Sequence, residues 1–309
     1  MITSLFRKST PLNYSLVVLG MLLFFGGYYI YSTNPSFHNT SYGLILLSLV
    51  LLYAALFISN FIAKKNSLSK DSAYTVLFYV FLMAVFPSIF SQPKLLCAQF
   101  FILLSTRRLV SLHTMKASKE KLFDAALWVF IASLFYFWSI LFLVLVYISI
   151  LFHTARDYRT WFLPVLAFVA VAFLYLLCAY LWNPSWVDDL QRQACYSTKF
   201  EITFSKIPDL VLLCYTAIGV LATLALMVTL ANKPLLLHSS YKKIISAFVI
   251  GIAVYVFAPL KTNELMVFTA TPLAIIYTSH IESIQSKWQK ELFLLGFLLA
   301  GLTAYFYQL

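Results

Sequence analysis

Charged residues are scarce in this sequence. They make up 11% of the 309 residues, whereas soluble domains carry about 25%. Hydrophobic residues make up 62% of the chain, including 29 Phe and 20 Tyr. A water-soluble fold of this length could not bury so much apolar surface, so the excess must face lipid. The composition therefore predicts an integral membrane protein rather than a soluble one.

Motifs of the common catalytic and metal sites are also missing. The four cysteines and five histidines are scattered, without metal-ligand spacing or a disulfide framework. The sequence contains no Gly-rich phosphate loop, no His-Glu-x-x-His helix and no Gly-x-Ser-x-Gly turn. The net charge is +11, but the sequence has no block of basic residues interleaved with aromatics that could form a nucleic-acid groove. We therefore expect no metal, no cofactor and no nucleic-acid partner.

Apolar runs dominate the rest of the sequence. A membrane-spanning helix needs about 20 apolar residues, and no cleavage site follows the first run, so we expect that run to be retained. The pattern predicts an all-α, polytopic integral membrane helix bundle of about 10–11 transmembrane segments, several short or broken, in a single domain over 1–309 with a small external loop at 183–208. The predicted spans are 13–33, 43–63, 72–90, 95–106, 122–152, 160–182, 209–231, 244–260, 265–280 and 291–309.

Positive charge is unevenly distributed among the connecting segments. Seventeen of the 22 Lys and Arg residues lie in six segments, and the other five are spread over the remaining loops. Cytoplasmic loops carry such an excess of Lys and Arg, so we predict a multi-pass membrane protein with a cytoplasmic N-terminus. The basic segments contain Arg7/Lys8, Lys64/Lys65/Lys70, Arg107/Arg108 with Lys116/Lys119/Lys121, Arg156/Arg159, Lys233/Lys242/Lys243 and Lys287/Lys290.

The apolar stretch 122–152 has two interpretations. Its 31 residues would form about 46 Å of helix, which is long for one span and short for two. Because both flanks are basic, charge favours a two-helix hairpin with a reversal near Tyr136–Ser139, which gives 11 crossings and an external C-terminus. The alternative is one long tilted helix with inverted topology downstream. Short segments occur in the two halves of this stretch, and also at 95–106 and at 265–280. They would line a cavity, or else their predicted boundaries are imprecise.

On the external side, Asp188, Asp189 and Glu264 are the candidate catalytic residues. A carboxylate at the membrane surface could act as a general base toward a lipid-linked substrate. Arg192 and Lys199 could then hold its phosphate. The alternative is a solvated loop with a weak ion pair between Asp188 and Arg192, four residues apart on a helix.

On the cytoplasmic side, Arg107 and Arg108 are candidates for binding a phosphate or an anionic lipid head group. The alternative is that this basic cluster serves only as an orientation signal. Asp124 lies just inside an apolar stretch, where ionisable groups are costly and often functional. It could instead cap the entry of a helix, where its charge would favour the helix dipole.

Several segments resemble known families. The run STRRLVSLHTMKASKEKLFDAALWVFIASLFYFWSILF, with AVFPSIF before it and the opening SLFRKSTPLNY, resembles an uncharacterised multi-pass inner-membrane family of Bacteroidetes, especially flavobacteria. The hydropathy around ARDYRTWFLP is similar to the middle of the membrane glycosyltransferases that use polyprenyl-phosphate sugars. Those enzymes commonly carry a carboxylate in the first external loop. Here that loop reads NPSFHNTS, so no catalytic residue is carried over.

Three functions remain open at this point. The first is a non-catalytic envelope component or partner subunit, with the lipid bilayer and other membrane proteins as partners. The second is a glycosyltransferase-like protein that acts on a polyprenyl-phosphate lipid, and the third is a transporter or lipid flippase. A hydrated cavity with Asp188, Asp189 or Glu264 on its wall favours the enzyme, whereas a bundle packed with Phe and Leu favours the first function.

Overall fold

The computed structural model describes residues 2–31, 41–114, 117–183, 185–195 and 207–309. In these ranges the chain is helical throughout and forms no strand. The α-helices are α1 (Ile2–Phe6), α2 (Pro11–Tyr31), α3 (Tyr42–Lys65), α4 (Tyr74–Ala84), α5 (Pro93–Val110), α6 (Ser118–Phe135), α7 (Leu143–His153), α8 (Leu163–Trp182), α9 (Ser185–Gln193), α10 (Ile207–Thr229), α11 (Leu235–Phe257), α12 (Val267–Ser283) and α13 (Lys287–Gln308). Short 3₁₀ helices cover Pro87–Ser91, Ser111–Thr114, Phe137–Phe142, Tyr158–Phe162, Leu230–Asn232 and Asn263–Met266.

Seven of the described helices are long and apolar enough to cross a membrane: α2, α3, α5, α8, α10, α11 and α13, some of them extended by a 3₁₀ turn. The chain is therefore a membrane protein with an all-α fold. The other predicted spans are also helical, but α4 has 11 residues and α12 has 17. Seven full-length spans together with these shorter helices agree with the predicted bundle, in which several segments are short.

Two helix boundaries differ from the sequence-based prediction. The segment predicted as the short span 95–106 is the full helix α5, which includes Arg107 and Arg108 in its last turn. Helix α11 begins at Leu235 and so contains Lys242 and Lys243, which were predicted to lie in a loop. Charged residues ended both apolar runs in the sequence. A cation in the last turn, however, stabilises a helix through its dipole, and lysine stems extend along apolar surface.

The stretch 122–152 forms a hairpin, and the alternative of one long tilted helix is wrong. Helix α6 ends at Phe135, and Tyr136 is extended with φ −144° and ψ 107°. Helix α7 then returns to the starting side, where Lys119 Nζ lies 2.8 Å from Asp157 Oδ2. This hydrogen bond from Lys119 lowers the pKa of the Asp157 carboxyl. The contact joins the two flanks of the stretch directly, as their shared positive charge predicted.

The helix ends lie on two opposite faces of the bundle. Tyr241 Oη donates to the Leu68 carbonyl at 2.7 Å, and the Lys70 N–H donates to Glu282 at 3.0 Å. These and similar contacts gather the described parts of the six basic segments on one side, which we call the basic face. The other side, the opposite face, carries the reversal after α6 and the end of α13. The short helix α4, for example, begins beside Thr3 on the basic face, and the chain just after it contacts Gln308 on the opposite face.

The short helices α4 and α12 form the centre of the bundle. Ten residues of α4 and fourteen of α12 are buried, and the two helices pack against each other. Aromatic rings fill the space around them: the Phe78 and Phe297 centroids are 4.9 Å apart, and those of Tyr277 and Phe297 are 5.2 Å apart. Neighbouring helices shelter the ends of these short helices from lipid, as unsatisfied backbone groups require. Most of their side chains are packed core, and Leu82 of α4 and Tyr277 of α12 also line an apolar cavity.

Candidate functional site

The external candidates whose side chains the structure describes, Asp188, Arg192 and Glu264, are not gathered into one cavity. Helix α9 carries Asp188 and Arg192, whose side chains are both exposed. Among the described residues, ion pairs occur elsewhere, so the predicted pair of Asp188 with Arg192 is not formed. The side chain of Asp189 and the whole of Lys199 lie outside the described residues. The Asp188 carboxylate is therefore on the surface of α9.

Helix α9 is amphipathic and packs on the hairpin reversal at the opposite face. The Trp138 indole N–H donates to the Cys195 carbonyl at 3.3 Å, and Tyr175 Oη donates to the Trp186 carbonyl at 2.8 Å. Glu264 is half-buried in the 3₁₀ turn that leads into α12. Neither Asp188 nor Glu264 lines either of the two cavities described next.

The first cavity is an apolar groove between α4, α10 and α13, with a volume of about 410 Å³. It lies toward the opposite face, where Gln308 Nε2 donates to the Val85 carbonyl at 2.8 Å. Among the described residues, its wall contains no acidic or basic side chain. Its lining residues are Leu82, Val85, Ile207, Leu210, Val211, Cys214, Tyr215, Ile218, Tyr277, Phe297, Ala300, Gly301, Thr303, Ala304 and Tyr307. Such a groove accommodates an apolar chain.

The second cavity, which we call the basic cleft, has a volume of about 220 Å³ and lies on the basic face. The last turns of α3 and α5, the 3₁₀ turn after α5 and the first turns of α6 form its wall. Helix C-termini favour cations because their carbonyl groups carry partial negative charge, which suits the basic ends of α3 and α5. The lining residues are Phe61, Lys65, Asn66, Arg107, Arg108, Ser111, His113, Thr114 and Lys121.

Local contacts hold the cationic side chains of the cleft in place. The Arg108 guanidinium pairs with Asp124 at 3.0 Å, and the Arg107 guanidinium lies 4.5 Å from the centre of the Phe61 ring. Lys121 Nζ donates to the Ser111 carbonyl and to Thr114 Oγ1, both at 3.0 Å. None of the residues that line the cleft is acidic. The structure therefore brings the predicted Arg107 and Arg108 into a site where positive charge predominates.

Asp124 does not cap the entry of α6. That helix begins after Ala117, which has a positive φ of 50°, and no side chain caps it. Asp124 lies in the second turn and orients Arg108 instead. The capping interpretation was therefore wrong.

Sequence reasoning missed two residues at the cleft. Asn66 follows the last turn of α3 and is 2% exposed. Its Nδ2 donates to the Ile62 carbonyl at 2.8 Å, while its Oδ1 has no hydrogen-bond partner among the described residues. Lys243 is completely buried, and its Nζ donates to the Leu109 carbonyl at 2.6 Å, next to Arg108. No signal in the sequence distinguishes these two from ordinary loop residues, because their burial arises from tertiary packing.

Comparison with known proteins agrees with this description as far as it reaches. A search of curated proteins and a search of solved structures found no match. The sequence profile of DUF6427, described as a family of unknown function, matches residues 4–309. That match covers nearly the whole chain, and the protein therefore belongs to the DUF6427 family.

Proposed function

We propose that the protein is a non-catalytic component of the bacterial inner membrane that acts as an envelope component or as a partner subunit of other membrane proteins. One observation carries this proposal. Aromatic and aliphatic side chains fill the centre of the bundle, and none of the described residues on the wall of the apolar groove is a carboxylate.

An enzyme that acts on a lipid-linked sugar would need a different arrangement. Its general base must lie within hydrogen-bond reach of the reacting hydroxyl, in a site that holds the substrate. Asp188 is exposed on α9 and Glu264 lies in a turn, and neither is on the wall of the apolar groove. This placement supports a role in which the protein binds partners or lipids without chemical conversion.

The charge distribution supports a cytoplasmic position for the N-terminus. Helix α2 begins on the basic face, and Arg7 and Lys8 precede it. On the same face, the backbone N–H of Lys70, which follows α3, donates to Glu282 at the end of α12. Because insertion retains Lys- and Arg-rich segments in the cytoplasm, we place the basic face on the inner side of the membrane.

The experiment combines partner capture with the removal of the acidic groups. Wild-type protein and a variant with Asp188→Asn, Asp189→Asn and Glu264→Gln are cross-linked in native membranes and purified. We expect both to recover the same membrane-protein partner in a constant ratio. Recovery of no specific partner from either protein would contradict the proposal.

A second function, glycosyltransferase-like action on a polyprenyl-phosphate-linked sugar, has support from the apolar groove. Its volume of about 410 Å³ falls in the range of ligand pockets, and it lies toward the opposite face. The same two proteins are assayed for sugar transfer from a polyprenyl-phosphate sugar. Transfer by the wild type that the triple variant has lost would replace the first proposal with this one.

A further inference from the structure

We infer that the basic cleft binds the phosphate of an anionic phospholipid whose head group also carries a hydroxyl donor, as a phosphoglycerol head group does. The site goes beyond the proposed function, since lipid binding here requires neither a protein partner nor catalysis. The volume of about 220 Å³ greatly exceeds the 10–15 Å³ that one water molecule needs.

The charge of the cleft calls for an anion. Lys65, Arg107, Arg108 and Lys121 line it, and Arg108 is paired with Asp124. Arginine forks match phosphate oxygens in pairs, and lysine adds a compact charge. Basic pockets between membrane helices on the inner side are a common form of anionic head-group site.

A buried lysine near the cleft favours an anion-binding site over a set of charges that only orient the protein in the membrane. Positive charges that orient a protein in the membrane need only be solvated, as Lys287 is. Lys243, in contrast, has no exposed surface, and its described hydrogen bond goes to the Leu109 carbonyl, next to Arg108 in the chain. Burying an ammonium group is costly, and a bound anion in the adjacent cleft would offset part of that cost.

Asn66 identifies the second half of the ligand. Its Nδ2 already donates to the Ile62 carbonyl, so the reversed amide would place two oxygens against each other. The Oδ1 is therefore a buried acceptor without a donor, on the wall of the cleft. The phosphodiester of a phospholipid cannot itself satisfy this acceptor, because the ionised diester has no proton to donate. A hydroxyl on the esterified head group can.

The surface next to the cleft indicates a lipid rather than a soluble phosphate. A shallow groove of about 430 Å³ along α3 is lined by Phe57, Asn60, Phe61, Lys64 and Lys65, and it shares Phe61 and Lys65 with the cleft. Phe57 and Phe61 are 52% and 41% exposed. A lipid with its phosphate in the cleft would lay its acyl chains over these two rings, toward the interior of the membrane.

The test measures the binding of three probes to the full-length protein in neutral detergent. The probes are dihexanoyl phosphatidylglycerol, dihexanoyl phosphatidylmethanol, which lacks the hydroxyls, and glycerol 3-phosphate, which lacks the chains. We expect the first to bind about tenfold more tightly than either of the others. Equal binding of glycerol 3-phosphate would overturn the lipid assignment. Equal binding of phosphatidylmethanol would overturn the role of Asn66.

Two double variants with the same loss of charge then locate the site. Lys65→Gln with Arg107→Gln should weaken phosphatidylglycerol binding about tenfold or more. Lys287→Gln with Lys290→Gln, at the start of α13 on the same face, should leave it nearly unchanged. Equal weakening by the two pairs would mean that the whole face attracts the lipid, and the cleft would lose its role. Because the three probes are also compared on the wild type, a poorly folded variant cannot hide the outcome.

Discussion

Replacing Gly251 by alanine tests the packing of α11 on α12. A Cβ atom added at Gly251 would lie 2.6 Å from Thr269 Cγ2, and 3.4 Å from backbone atoms of Phe268 and Thr269. The threonine cannot easily turn away. Its Oγ1 donates to the Met266 carbonyl at 2.6 Å and lies 2.7 Å from Tyr215 Oη. The new methyl group therefore has to push the two helices apart.

The expected magnitude is the difference between two opposing effects. Overpacking a well-packed interior costs about 1–3 kcal/mol, while glycine to alanine in a helix gains about 0.5–1 kcal/mol. The difference spans about 0–2.5 kcal/mol, so Gly251→Ala should lower the free energy of unfolding by about 1 kcal/mol. Gly296→Ala on α13 is the matched control, because a Cβ there meets nothing within 4 Å. Gly296→Ala should therefore show only the gain in helix stability from replacing glycine by alanine, without the cost of overpacking.

The assay is reversible unfolding of both purified variants in mixed micelles, followed by circular dichroism and tryptophan fluorescence. We expect Gly296→Ala to be at least as stable as the wild type and Gly251→Ala to be less stable than both. Small residues allow close helix approach in membranes, so the order should hold across detergents. If Gly251→Ala were as stable as Gly296→Ala, the close contact between α11 and α12 would be refuted.

Three further predictions concern charge, orientation and buried hydrogen bonds. Burial lowers the pKa of Lys233 from 10.5 to about 8. Between these two pH values the unfolded chain binds more protons than the folded chain, so the stability of the fold should rise with pH above about 8. Lys233→Met should remove that rise in thermal unfolding scans. Cys195 is exposed at the opposite face, so it should react with an impermeant maleimide in intact spheroplasts. A cysteine introduced by Ser286→Cys in a Cys195→Ser background should react only after permeabilisation. The reverse labelling pattern would invert the proposed orientation. Ser59 Oγ lies 2.7 Å from Thr271 Oγ1 in the interior, so Ser59→Ala should lower the free energy of unfolding by about 0.6–1.7 kcal/mol. A double-mutant cycle with Thr271→Val that shows no coupling between the two residues would contradict the hydrogen bond.

The course of the chain between the two faces could be predicted from the sequence because it depends on local quantities. Hydropathy located the helices, and the basic flanks of 122–152 predicted the reversal that the contact of Lys119 with Asp157 confirms. Boundaries failed where charges lie inside helices, as at Arg107 and Lys243. A hydropathy window ends at such residues, but a helix can carry them where its C-terminus or a neighbouring carbonyl accepts their hydrogen bonds.

The site could be predicted only in part, because positive charge has two roles that look identical in a sequence. Arg107 and Lys287 contribute equally to the count that orients the chain, yet only Arg107 lines a cleft. Insertion rewards a solvated cation and gains nothing from burying one. A buried cation on this face therefore requires compensating contacts. Lys243 Nζ has one in the Leu109 carbonyl, and the proposed anion in the cleft would add a second. That argument depends on burial, which arises when distant helices pack, and so it becomes available with the fold rather than before it.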